Sequence, residues 1–357
     1  MTPSPSVAAA SSATAASPSA TATLTPTWTP VPAPTPTPIA GPAWTTVAVG
    51  LTDRAAGASV SVHLGKAFPL TLTGNSSEAG GVPWFEAAWK TPARTGTGWL
   101  PGSALTRTKP DSIAEAQFDA LDPDLAKYLA SLGTRIGVEV LDVSRGTIYA
   151  YNADRSYFCA SSVKVPIMLA FLSQLEAKHR EPTSSERRLL ATMIENSNNH
   201  SAEQLYERIG AQKGLNAFTR AIELKGLVPN KPGWWGHSTI TPAAMVRLLQ
   251  MLHQGTILNE AHRKLALTYM THVDSHGRVG LGDNSPAGAK VAMKDGWTAA
   301  LDGSRTYVVN TSGIVTVGGE TYIAAIYTNR DRSYGDGWKI VRHVSSILGR
   351  RLAPKAG

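Results

Sequence analysis

The sequence predicts an α+β protein in which helices flank an antiparallel β-sheet, preceded by a small all-β domain and a disordered tail. Three observations lead to this prediction. Residues 1–43 are almost wholly alanine, serine, threonine, proline and valine. Residues 44–107 alternate apolar and polar side chains between glycine-, asparagine- and serine-rich turns, with no helical period. Residues 113–355 order their elements as two strands, a helical block, three strands and a final helix, which is typical of a sheet covered by helices.

The tail over residues 1–43 is uncharged, and the first charged residue of the chain is Asp53. Such a segment cannot bury enough apolar surface to offset its ordering entropy, so we expect a disordered, extended stalk. Stalks of this composition are typical of exported proteins, although a cytosolic linker is the alternative. No signal peptide is visible near Met1, so secretion or attachment to the cell envelope requires a trimmed signal. No apolar run approaches the length of about 18 residues that a transmembrane helix needs.

The all-β segment over residues 44–107 contains Trp-Phe-Glu-Ala at residues 84–87 and Gly-Thr-Gly-Trp-Leu at residues 96–100. This spacing of aromatic, glycine and tryptophan residues resembles bacterial SH3-like domains, many of which bind cell-wall peptides. The resemblance implies an SH3-like barrel that could bind the wall. The alternative is a small barrel in which Trp84 and Trp99 are simply core residues.

The net charge, the histidines and the single cysteine indicate which partners and ligands are expected. The net charge of +8 suits an anionic wall polymer or plain solubility, and without a lysine/arginine run we expect no nucleic-acid partner. His272 and His276 lie one helical turn apart but lack the glutamate of a zinc-protease motif, so we expect no metal and no cofactor. Cys159, the single cysteine, should be a small buried residue.

The last segment, residues 113–355, begins with alternating apolar residues at Ile136, Val138 and Val140, followed by a hairpin turn at Arg145 and Gly146. Four or five helical stretches follow, one of which should begin at Thr241-Pro242, a good N-cap and first-turn pair. Strands are predicted over residues 289–294, about 305–317 and 321–328, and a terminal helix over about 337–351.

Ser161 and Lys164 are the first candidate catalytic residues. They lie three residues apart at the start of an apolar helical run, which places both side chains on one helix face. Apolar surroundings favour the neutral amine of a lysine, and a neutral amine can take the proton of the serine hydroxyl. Taken alone, the pair is equally typical of an N-cap serine with a lysine in the first turn.

Two further motifs follow in a fixed order. Ser197 and Asn199 form a Ser-x-Asn motif between two predicted helices, and Lys294 and Gly296 form a Lys-x-Gly motif directly after a predicted strand. Together with Ser-x-x-Lys, this order is the signature of serine β-lactamases and penicillin-binding proteins. Residues 113–355 therefore resemble the class A β-lactamase-like serine hydrolases over essentially their whole length.

The resemblance implies a role for each matching residue. Lys294 would hold Ser197 in place and attract an anionic substrate. Two backbone N–H groups would form an oxyanion hole, which lowers the barrier by stabilising the developing negative charge. The implied assignments are nucleophile Ser161, base Lys164, proton relay Ser197, substrate-amide contact Asn199, strand-motif residues Lys294, Asp295 and Gly296, and oxyanion-hole N–H groups from Ser161 and Trp297.

The sequence departs from the class A pattern in three ways. The family's loop glutamate, which activates the deacylating water, is missing: there is no acidic residue between Glu223 and Glu260. In the corresponding stretch, residues 229–238, His237 is a possible alternative base, or else a loop histidine satisfied by its neighbours. The spacing from Ser161 to Ser197 is shorter than in class A β-lactamases, so a connecting segment is missing. Asp295 stands where β-lactamases have threonine or serine, and an ionised aspartate would repel a substrate carboxylate.

These features predict an exported serine hydrolase that acts on an amide or β-lactam through a Ser161 acyl-enzyme, with slow β-lactam turnover. A D,D-peptidase on wall peptides and an acyl-transferring amidase are the alternatives within this class. A non-enzymatic cell-wall-binding protein is a second class, and the intact motif residues argue against it. A third class, a penicillin-sensing receptor domain, would need a membrane helix and a signalling domain, which residues 1–357 do not show but a longer gene could supply.

Overall fold

A computed structural model describes residues 40–47, 49–65, 68–91, 94–107, 114–300 and 304–354. Of the stalk predicted over residues 1–43, residues 1–39 lie outside the described residues, as does the segment 108–110, which the sequence predicts to be a linker, whereas Gly41 and the residues after it form a strand. Within these ranges, no helix is both long enough and apolar enough to cross a membrane.

The N-terminal domain is a seven-stranded antiparallel sheet with the strand order β3-β2-β6-β5-β4-β1-β7, as the alternating pattern predicted. Its first strand begins at Gly41, before the expected boundary at residue 44. Trp89 lies in the core, whereas Trp84 and Trp99 are half-buried. The SH3-like assignment stays a prediction. The strands are β1 (Gly41–Thr45), β2 (Val49–Thr52), β3 (Val60–Leu64), β4 (Pro69–Ala79), β5 (Val82–Lys90), β6 (Thr95–Pro101) and β7 (Leu105–Thr106).

The second domain is built on a six-stranded sheet with the order β14-β15-β16-β9-β10-β8, which confirms the α+β prediction. Every pair is antiparallel except the parallel edge pair of β10 with β8. A separate small sheet has the order β11-β13-β12. Its strands are β8 (Ala114–Ala116), β9 (Ile136–Asp142), β10 (Thr147–Tyr151), β11 (Tyr157–Phe158), β12 (Leu227–Val228), β13 (Thr239–Ile240), β14 (Lys290–Ala299), β15 (Tyr307–Val317) and β16 (Glu320–Thr328).

Helices cover both faces of the large sheet. The terminal helix begins three residues before the predicted start, where the Ser333 side chain accepts a hydrogen bond from the N–H of Asp336 at 3.1 Å. The predicted Thr241 N-cap is confirmed by its bond from the N–H of Ala244 at 3.1 Å. The helices are α1 (Phe118–Leu121), α2 (Pro123–Leu132), α3 (Lys164–Ala177), α4 (Ser184–Glu195), α5 (Asn199–Arg208), α6 (Ala211–Ala221), α7 (Pro242–Gln254), α8 (Glu260–Thr271), α9 (Leu281–Asn284) and α10 (Tyr334–Leu352).

Strand alternation divides the core into two layers and decides which side chains of β14 face the helical block. Ala292 packs in the cluster that contains α3 and α7, whereas Met293 packs in the cluster that contains α2 and α10. Because side chains of a strand alternate between faces, residues 294 and 296 lie on the α3 side of the sheet. Here β14 meets the turn that precedes α3.

The N-terminal sheet contacts the second domain at the connection between α7 and α8. The Arg94 guanidinium donates hydrogen bonds to the carbonyl oxygens of Gly255, at 2.6 Å, and Leu258. The Thr91 hydroxyl donates to the carbonyl oxygen of Thr256 at 3.0 Å. These bonds satisfy backbone carbonyl groups of the loop that follows α7.

Candidate active site

Ser161 lies in a 3₁₀ turn, Ala160–Val163, that leads directly into α3. Ala160 adopts a left-handed backbone conformation (φ +45°), which is rare for a residue with a side chain and is common at functional sites. Ser162 stabilises this turn. Its hydroxyl donates to the carbonyl oxygen of Cys159 at 2.7 Å and lies 2.9 Å from the Tyr327 hydroxyl. Ser161 is not an N-cap, so the alternative interpretation of the Ser-x-x-Lys pair is wrong.

Lys164 is fully buried, and its amine lies within hydrogen-bond distance of four oxygens. These are Oγ of Ser161 at 2.9 Å, O and Oγ of Ser197 at 2.6 and 3.0 Å, and Oδ1 of Asn199 at 2.8 Å. Burial and the charge of Lys294 lower the pKa of Lys164 to about 6, although Asp295 opposes this shift. The amine of Lys164 is therefore largely neutral at pH 7.

The acceptors around Lys164 determine where its lone pair is available. A neutral amine has two N–H bonds and one lone pair. The backbone carbonyl of Ser197 and the side-chain carbonyl of Asn199 can only accept, so they take the two N–H bonds. The lone pair is then left for a hydroxyl, and Ser161 Oγ is within reach. This is the arrangement that a serine nucleophile and its base require.

Ser197 and Asn199 reach Lys164 because of the way that α5 begins. The Asn198 side chain caps this helix by accepting a hydrogen bond from the N–H of Ser201 at 2.8 Å. Ser197, just before the cap, has a left-handed backbone (φ +55°), and its carbonyl oxygen meets the lysine. The implied substrate-amide contact of Asn199 stays a prediction, since the structure shows its Oδ1 bound to Lys164.

Lys294 and Asp295 form a buried ion pair at 3.0 Å, with side-chain exposures of 0% and 1%. The other carboxylate oxygen of Asp295 accepts a bond from the N–H of Val279 at 3.2 Å. The resemblance implied that Lys294 would hold Ser197. Among the described hydrogen bonds, Ser197 is instead bound by Lys164. The charge of Lys294 is thus compensated inside the protein, and Asp295 is a partner of that lysine, not an isolated repelling charge.

Gly296 brings β14 against the nucleophile. A Cβ atom at this position would lie 2.5 Å from the backbone nitrogen of Ser161, so only glycine permits the approach. The Asn310 side chain, from the neighbouring strand, donates to the carbonyl oxygen of Cys159 at 2.7 Å and fixes the same turn. The Trp297 side chain packs against Trp338 with ring centroids 5.6 Å apart. This geometry suits an oxyanion hole at the N–H groups of Ser161 and Trp297, an assignment that stays a prediction.

The loop over residues 229–238 brings an aromatic side chain to the site. The Trp235 ring centroid lies 5.1 Å from the Lys164 amine. His237 packs between Phe158 and Trp234, at centroid distances of 5.6 and 5.5 Å. Its role as an alternative base stays a prediction.

A carboxylate that the sequence interpretation missed also meets this loop. Glu203, on α5, accepts bonds from the Trp235 indole N–H at 2.7 Å and from the N–H of Gly233 at 3.0 and 3.1 Å. The loop itself carries no acidic residue, but it is in contact with one from the neighbouring helix. The sequence carries a signal for this carboxylate: Glu203 follows Asn199 by four residues, so the two residues share one face of a helix.

In the described parts of the chain, no group of three or more His, Cys, Asp or Glu side chains is arranged to hold a metal ion. The contact between Ser161 Oγ and the Lys164 amine is the arrangement that acyl transfer through a serine uses.

Comparisons with known proteins agree with this geometry. The model of the beta-lactamase enzyme family matches residues 120–185 and 181–352. A beta-lactamase of Rhodobacter capsulatus is 24% identical over 271 residues, which is 66% of this chain and 88% of that protein.

Two solved structures share the fold of the second domain. The TLA-3 extended-spectrum beta-lactamase aligns with a TM-score of 0.60 and 20% identity, over 66% of this chain and 99% of that chain. PBP-A aligns with a TM-score of 0.59 and 20% identity, over 67% of this chain and 98% of that chain. Since the family match extends over well more than half of its residues, this chain belongs to the beta-lactamase enzyme family.

Proposed function

We propose that this protein is an exported serine hydrolase that forms an acyl-enzyme on Ser161 with an amide or β-lactam and releases β-lactams slowly. The observation that carries the proposal is the contact of 2.9 Å between the buried Lys164 amine and Ser161 Oγ. The amine has its two N–H bonds directed to carbonyl acceptors and its lone pair free for the hydroxyl proton.

In the proposed reaction, Lys164 takes the proton of Ser161 as Oγ attacks the substrate carbonyl carbon. The N–H groups of Ser161 and Trp297 stabilise the resulting oxyanion. Ser197, whose hydroxyl lies 3.0 Å from the lysine, relays the proton to the leaving nitrogen as the carbon–nitrogen bond breaks. The product of this half-reaction is an ester on Ser161 and an amine, which leaves when the substrate is a linear amide and stays attached to the acyl group when it is a β-lactam.

Slow release follows from the lack of an acidic residue between Glu223 and Glu260. Without a general base for water, hydrolysis of the ester slows by about 10²–10⁴-fold. The alternatives are a D,D-peptidase on wall peptides or an acyl-transferring amidase, which use the same acyl-enzyme. Secretion and attachment to the wall through the N-terminal domain are supported by the composition of the tail and by the Trp84 and Trp99 spacing. A non-enzymatic wall-binding role would leave Ser161 without an adduct.

Steady-state nitrocefin hydrolysis and intact-mass spectrometry test this proposal together. We expect one covalent adduct per chain and turnover well below about ten per second. His237→Ala should release the adduct at the wild-type rate. Turnover of tens per second that disappears in His237→Ala would instead make this histidine the base for water.

Asp295→Thr should accelerate acylation by substrates with a carboxylate. Removing the aspartate leaves the positive charge of Lys294 uncompensated and free to attract such a group, so acylation by benzylpenicillin should rise about tenfold. Acylation by the neutral ester p-nitrophenyl acetate should be unchanged. The fluorescence of a labelled penicillin and the release of p-nitrophenol measure the two rates.

Asp295→Asn is the matched variant, because it removes the charge but keeps an oxygen that can accept from Lys294. Since breaking a buried ion pair can cost about 3–5 kcal/mol, the melting temperature of each variant must be measured alongside. An equal change in the rates of both substrates would show that Asp295 does not act through the substrate carboxylate.

A further inference from the structure

The loop over residues 229–238 is tied to the residues before Ser161 at its C-terminal end, and its N-terminal end is held by its own C-terminal end and by α5. At its C-terminal end, β13 pairs with β11, and the carbonyl oxygen of Ser238 accepts a bond from the N–H of Cys159 at 2.8 Å. At its N-terminal end, the Ser238 hydroxyl accepts from the N–H of Asn230 at 2.9 Å, and the Tyr206 hydroxyl donates to the carbonyl oxygen of Asn230. These bonds hold the loop over the residues that precede Ser161.

Trp235 is the residue through which this loop meets Lys164. The indole is 8% exposed, and its ring centroid lies 5.1 Å from the amine. Its N–H is bound to Glu203 at 2.7 Å, and the same carboxylate binds the N–H of Gly233, two residues earlier. A charge-assisted bond to a carboxylate that is itself fixed by the loop backbone holds the ring in one orientation.

The ring adds an apolar face to the environment of Lys164, 5.1 Å from the amine. Within the part of the chain that the structure describes, the oxygens that hydrogen-bond to the amine belong to Ser161, Ser197 and Asn199. Indole has no acceptor for a water proton, and its single donor is already bound to Glu203. A water molecule that approached from the loop would therefore have to displace the ring.

We propose that Trp235, held by Glu203, excludes water from the Lys164 side of the Ser161 acyl-enzyme and so prolongs its lifetime. This inference rests on the proposed acyl-enzyme chemistry. In the release step, water adds to the ester carbonyl carbon, and the bond from that carbon to Ser161 Oγ breaks. The proton of the water returns to Oγ, and a carboxylic acid leaves. Trp235 and Glu203 exchange no proton in this step; they are positioning residues.

Acyl-enzyme lifetimes test the inference. The full chain is acylated with benzylpenicillin, freed of excess reagent and followed by intact mass. Trp235→Ala should lose the adduct about 10- to 100-fold faster than the wild type, because water gains access. Trp235→Phe, which keeps an apolar ring, should release at close to the wild-type rate. Trp234→Ala is the matched control, since this neighbouring tryptophan is 43% exposed, and it should release as the wild type does.

The pH profile of acylation gives a readout that a merely structural role would not move. Removing the ring lets water solvate the ammonium form of Lys164, so the midpoint of acylation in Trp235→Ala should shift to higher pH. The ring also attracts the ammonium form, but burial outweighs this attraction in the wild type.

If Trp235→Ala does not fold, Glu203→Gln tests the inference instead. This variant weakens the hydrogen bond that orients the Trp235 ring, so it should also shorten the lifetime of the adduct. Wild-type lifetime and midpoint in a folded, acylated variant would overturn the inference and leave the proposed function intact. Absence of any adduct in the wild type would instead overturn the proposed function.

Discussion

Ser161→Ala is expected to abolish covalent labelling by a fluorescent penicillin or a fluorophosphonate. The hydroxyl of Ser161 is the one that the Lys164 amine contacts, at 2.9 Å, and Gly296 of β14 approaches the backbone nitrogen of the same serine. Without Oγ no ester can form, and acylation should fall by about 10⁴-fold or more. In-gel fluorescence and intact mass measure the loss.

Ser162→Ala is the matched control for this prediction. The two serines are neighbours in one turn, but the Ser162 hydroxyl is buried and bonded to Cys159 and Tyr327, away from the amine of Lys164. This variant should still be labelled. Equal labelling of Ser161→Ala and the wild type would move the nucleophile to another residue.

Lys164→Ala should reduce acylation by about 10²–10⁴-fold, the range for loss of a general base. In the wild type, the pKa of about 6 means that the neutral amine, which is the basic form, predominates above that pH. The acylation rate should therefore rise as the pH passes through about 6 and level off above it. A stopped-flow series between pH 5 and 8, at constant ionic strength, measures the midpoint.

Lys178→Ala is the control, because this lysine is exposed and follows the C-terminal end of the same helix. It should keep both the rate and the midpoint of the wild type. If Lys164→Ala keeps the wild-type rate, the base is elsewhere, and Ser197 with Lys294 would be the next pair to test.

The sequence alone determined the features that depend on local spacing. Ser161 and Lys164 lie within one helical turn, so their contact needs no knowledge of the rest of the chain. The alternation of β9 and the Thr241 cap are equally local, and both were predicted, as was a strand over residues 289–294, although β14 continues through the Lys-x-Gly motif to Ala299. The order of the three motifs also carried the family assignment, because each motif belongs to a particular kind of element.

Only the tertiary structure decided which distant groups meet at the lysine. Ser197 is 33 residues from Lys164 along the chain, and Trp235 comes from the loop over residues 229–238, in which the sequence pointed to His237 instead. Glu203 reaches that loop from a separate helix. Such contacts depend on how α3, α5 and the loop pack together, and no periodicity in the chain encodes a distance between them.

The ion pair between Lys294 and Asp295 shows that even the contacts of adjacent residues can depend on the tertiary structure. The resemblance implied a lysine that holds Ser197 and an aspartate that would repel a substrate carboxylate. In the structure the two side chains pair with each other, because burial favours an ion pair over two separate charges. The residue types of the site were thus readable from the sequence, whereas the partner of each charge was decided by burial in the folded protein.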